Sequence, residues 1–111
     1  MIPYEERARV YTNAVVHYGD RNQMVKAIEE LAECAQTICK AILGQGDIDH
    51  LAEEVADATI MLEQIRLFFG INDRVIQYMD EKVQRLDGNL KGNIAVDNVT
   101  LAEGMAVTGA I

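Results

Sequence analysis

The chain has 111 residues, half of them hydrophobic and a quarter charged, with 18 acidic against 10 basic side chains and a formal net charge of -8. That length suits one modest domain, near the size at which a partner subunit helps to bury apolar surface. The composition excludes a disordered chain, and the acidic balance argues against duplex nucleic acid or an anionic membrane surface as a partner.

Helix one is expected over roughly 3–18, starting at Pro3, carrying Tyr11, Ala14, Val15 and Tyr18, and stopping at Gly19. Its first residues include Glu5, Glu6, Arg7 and Arg9 where a signal peptide needs an apolar run. No window approaches the ~18 apolar residues of a membrane span, so a cytoplasmic protein is expected. Asp20 or Asn22 is a candidate cap for helix two, 22–43, where Met24, Val25, Ile28, Leu31, Ala35, Ile38 and Ile42 recur at helical spacing. Gly44-Gln45-Gly46 then turns the chain, and Asp47 caps helix three, 47–69. So short a link makes helices two and three an antiparallel hairpin. Gly70 breaks the pattern, and a fourth helix, 72–87, runs through Val75, Ile76, Met79, Val83 and Leu86 to end at Gly88. Residues 1–88 thus read as an all-α domain of four helices, and 89–111, punctuated by Gly92, Gly104 and Gly109, as an irregular C-terminal arm or tail.

The chemistry-bearing residues are acidic. Glu30 and Glu33 on helix two, and Glu54 and Asp57 on helix three, are each three residues apart, which puts each pair about 60° apart and one turn along. If the hairpin packs with the pairs at similar height, four oxygen donors converge. An all-oxygen set suits a hard divalent cation, magnesium first and manganese second. The alternative is a solvated acidic face, and on helix two it stays open: with Ile28 at zero, the apolar stripe centres near about 330°, whereas Glu29, Glu33 and Glu30 fall at about 100°, 140° and 200°. Helix three is apolar on every side around Asp57, from Val55 to Leu62, and is expected to be buried all round. A charge there needs a counter-ion or a metal.

The run Glu29-Glu30-Leu31-Ala32-Glu33, followed by Glu54-Val55-Ala56-Asp57, resembles the paired E-x-x-E and E-x-x-D signature of the MazG-like, all-α nucleotide pyrophosphohydrolases. The resemblance covers about Tyr18 to Leu86. It implies a four-helix MazG-like bundle, Glu30, Glu33, Glu54 and Asp57 as magnesium ligands, Glu29 orienting a ligand or water, and Lys82 and Arg85 meeting the substrate phosphates. It further implies hydrolysis of a nucleoside triphosphate to the monophosphate and pyrophosphate, with a water deprotonated with help from Glu30 or Glu33. A homodimer or homotetramer is expected, because Glu29, Glu30 and Glu33 lie opposite the apolar stripe in so short a chain and another subunit would help enclose them. Gln23 is a candidate contact to the base. Lys82 and Arg85 also fit as solvated helix cations, and Gln23 as an exposed first-turn residue.

Other chemistries find little support. His17 and His50 stand alone, which disfavours zinc; no serine occurs, and no glycine-rich phosphate loop. Cys34 and Cys39 point about 140° apart on one helix and are expected to be reduced structural thiols. Two further readings are a phosphoribosyl-ATP pyrophosphatase-like hydrolase, sharing the metal logic on another substrate, and a non-enzymatic helical interaction module.

Overall fold

The computed structural model describes residues 1–91, and these are all-α: α1 Tyr4–Tyr18, α2 Asp20–Ile42, α3 Ile48–Phe68 and α4 Asn72–Lys91. Met1–Gly70, holding the first three helices, is one compact unit, and a second begins at Ile71. No described helix is long and apolar enough to cross a membrane. The arm expected over 89–111 begins as the last turn of α4, and the rest of it lies outside the described residues.

The corners follow from local chemistry. Pro3 precedes α1 with φ of -60°, and its carbonyl accepts from the Glu6 and Arg7 amides. Neither Asp20 nor Asn22 caps α2. Gly19 alone joins α1 to α2, at a φ of +92° that side-chain-bearing residues rarely adopt. Asp20 is therefore already helical, and the Asn22 amide turns back to donate to the Tyr18 carbonyl at 2.7 Å, closing α1 instead. Asp47 caps α3 as expected, accepting from the His50 amide at 2.7 Å. Gly88 does not end α4. A glycine within a helix costs about 1 kcal/mol without forcing a stop, and the Lys91–Asp87 ion pair at 2.9 Å spans it.

α2 and α3 form the antiparallel hairpin, and two cross-helix juxtapositions mark its register. The buried Gln23 amide donates to Gln64 Oε1 at 2.9 Å at one level, and Glu30 meets Glu54 at the other. Between these levels lie Ala27 on α2 and Ala58 and Met61 on α3, all buried. Two alanines at the seam let the backbones approach closely. α1 is tied on by Glu63, whose Oε2 accepts from both Arg7 Nε at 3.0 Å and the buried Tyr11 hydroxyl at 2.9 Å.

Two expectations about burial are corrected. The inward arc of α2 is Gln23, Ala27, Glu30 and Cys34, spaced four, three and four apart, so Glu30 faces α3 rather than lying opposite the core. The apolar stripe through Val25, Ile28 and Ile42 is what lies outward, with Ile28 67 % exposed. α3 is likewise not buried all round: Val55, Ile60 and Leu62 are exposed, and Asp57 is half-buried.

Candidate metal centre

The carboxylates meet on the hairpin seam, nearer to the Gly44–Gly46 turn than the Gln23–Gln64 pair. One oxygen from each of Glu30, Glu33 and Glu54 lies within 4.8 Å of the others. Glu30 is 8 % exposed, Glu54 is half-buried and Glu33 is open to solvent. The cluster thus has a closed floor and an open side. Asp57 follows one turn after Glu54 on α3, close enough for its charge to be felt at Glu54, but its carboxylate lies outside that set of three. Glu29 is exposed on α2.

Packing the helices strands two polar atoms. Glu30 Oε2 and Glu54 Oε2 are buried with no hydrogen-bond partner. Their other oxygens are only partly compensated: Glu30 Oε1 takes the Lys26 ammonium at 2.9 Å, and His50 Nε2 stands 3.9 Å from Glu54 Oε1. Burial pushes the Glu54 carboxyl above its ordinary value, and the charges of Glu33, Asp57 and Glu30 push the same way against a weaker pull from His50. Conversely, the hydrogen bond and charge of Glu30 raise the affinity of Lys26 for its proton. A buried, unpaired carboxylate oxygen loses several kcal/mol of solvation unless something replaces the water. Three clustered carboxylates, two of them with such an atom, all oxygen and with no sulfur ligand in the set, fit a hard divalent cation.

The remaining candidates have their own settings. Gln23 is buried and its amide is engaged by Gln64. Lys82 and Arg85 are exposed, three residues apart on α4, in the unit that begins at Ile71. Cys34 is buried and Cys39 exposed, both as free thiols. Among the aromatic residues Tyr11 is buried, while Tyr18, Phe69 and Tyr78 are exposed. Concavities of about 250 Å³ beside Asp20, Met24, Phe68 and Phe69, and about 340 Å³ beside Ile2, Tyr11, Thr59 and Ile60, contain none of the clustered carboxylates. Lys26 and His50 enter the cluster without belonging to the motif. Their only sequence signal is that each stands four residues before a clustered glutamate, the spacing at which helix side chains meet.

No family model, curated protein or solved structure gives a significant match to this chain.

Proposed function

We propose that the protein is a magnesium-dependent nucleotide pyrophosphohydrolase of the MazG-like type, converting a nucleoside triphosphate to the monophosphate and pyrophosphate. The observation that carries this reading is that two of the three clustered carboxylates, Glu30 and Glu54, each keep a buried, unpartnered oxygen. A solvated acidic face would leave no such atoms. Glu30, Glu33 and Glu54, with Asp57 one turn along, are the residues to hold magnesium, or manganese in its place. Magnesium when bound supplies Lewis-acid polarisation of the phosphates.

The protein's own groups divide the remaining tasks. Glu33, exposed, can take a proton from the attacking water and return it to solvent. Glu30 shares an oxygen with Lys26 and is the more constrained of the two bases. Glu29 and Gln23, and Lys82 and Arg85 as phosphate-binding cations, enter the reading through the family resemblance alone. A second copy of the chain as partner is supported by the outward apolar residues of α2 and α3, beside a carboxylate cluster that Glu33 leaves open on one side.

The test is pyrophosphate release with magnesium across canonical and modified nucleoside triphosphates and phosphoribosyl-ATP. Wild type should turn over at least one of them, and Glu54→Gln should lose on the order of 100-fold or more of that rate. Release from phosphoribosyl-ATP alone would move the substrate class. No release, together with no stabilisation by magnesium, would replace the enzyme with a helical interaction module.

A further inference from the structure

Lys26 is the one described cation in hydrogen-bonding contact with the carboxylate cluster. Its Nζ lies 2.9 Å from Glu30 Oε1, the partnered oxygen of a carboxylate whose other oxygen is buried and has no partner. The Glu30 side chain is 11 % exposed, so its charge has little water to fall back on, whereas the Lys26 side chain is half exposed. The pairing is therefore unequal. Glu30 depends on Lys26 for compensation, while Lys26, four residues earlier on the same helix face, can return to water by rotating its flexible stem.

We propose that Lys26 is a resident counter-ion of the cluster, holding Glu30 in place without a metal and giving up Glu30 Oε1 when a divalent cation binds. The inference rests on the metal-binding reading above and deepens it, because it makes the affinity for the cation a difference between two cations competing for one carboxylate. Two effects act in the same direction. The ammonium neutralises part of the charge on the carboxylate whose other oxygen is free, and its own positive charge repels the metal across a partly buried site. Once displaced, Lys26 remains in the field of Glu29 and Glu33, both exposed on the same helix, so its release is not to an unfavourable environment.

The arrangement contrasts with an ordinary helix ion pair. An exposed glutamate and lysine four apart contribute only about 0.3–0.5 kcal/mol, and losing the lysine leaves the glutamate solvated. Here loss of the lysine removes the ion pair of a glutamate whose other oxygen is already buried without a partner, and a bound metal then restores compensation.

Magnesium and manganese binding to the full chain, measured calorimetrically for wild type, Lys26→Met and Lys26→Arg, tests this. Lys26→Met should bind either ion about tenfold more tightly than wild type, whereas Lys26→Arg, which keeps the charge, should stay within about threefold of it. In parallel, the Lys26 side-chain ¹⁵N resonance of the wild-type protein should shift on adding magnesium as the ammonium leaves Glu30. This second measurement needs no variant and so survives any loss of folding in Lys26→Met. Equal or weaker metal binding by a folded Lys26→Met, or a Lys26 resonance unmoved while wild type binds metal, overturns the counter-ion role and leaves the metal site standing. Absence of metal binding in every form overturns both.

Discussion

Glu54 holds its charge against its surroundings, since both burial and its carboxylate neighbours favour the protonated form. It binds its proton more tightly folded than unfolded. Between the ordinary carboxylate value and the raised one, the folded chain thus carries more proton than the unfolded one, and this group's contribution to stability falls as pH rises through that window. That is the reverse of a salt-bridged carboxylate. Glu54→Gln should therefore raise the thermal midpoint at neutral pH without metal, with the advantage shrinking as pH falls towards the ordinary carboxylate range. On the proposed metal reading, magnesium should stabilise wild type and not this variant. Thermal melts at several pH values, with and without magnesium, check both, and an advantage independent of pH would show that burial of the charge is not the cause.

At the scale of the helices, the α2–α3 seam is unusually polar for so thin a unit. The buried set pairs five hydrophobic residues, Tyr11, Ala27, Cys34, Ala58 and Met61, with Gln23, Glu30 and Gln64. The glutamine pair sits where a slip of one helix along the other would strand two amides, so it sets register much as a lone buried asparagine does in a coiled coil. That register brings Glu30 and Glu54 to one height. Gln23→Leu should cost about 1–3 kcal/mol by leaving the Gln64 amide unsatisfied, and Gln64→Leu added to it should recover most of that loss. Urea unfolding of the two single variants and the double variant checks it. If the losses simply add, the pair is not coupled and the register argument fails.

For the whole molecule, the outward faces of α2 and α3 matter most. Ile28 at 67 % exposed and Ile42 at 68 % carry branched apolar surface of the kind that an oligomer covers. Ile28→Glu should shift the sedimentation coefficient towards the monomer while changing the stability of the isolated chain by no more than about 0.5 kcal/mol, as befits an exposed position. A wild-type chain that sediments as a monomer at all concentrations would show that no second copy covers this face.

The all-α class, four helices and nearly every boundary were legible in the sequence, because they rest on local rules. Gly19, Asp47 and Gly70 act through their own backbone or an amide three residues away. The motif was legible too, since two carboxylates three residues apart on a helix share a face wherever the helix lies. The inward arc of α2 was not. Periodicity alone selects the stripe through Ile28, whereas packing on α3 buries Ala27 and Glu30 and leaves Ile28 outside. Sequence by itself thus determined the helices and the carboxylate spacing. The tertiary structure decided which carboxylates are desolvated, because burial depends on the neighbouring helix rather than on the helix's own pattern. It joined Glu30 and Glu54 across the hairpin and set Lys26 on one of them.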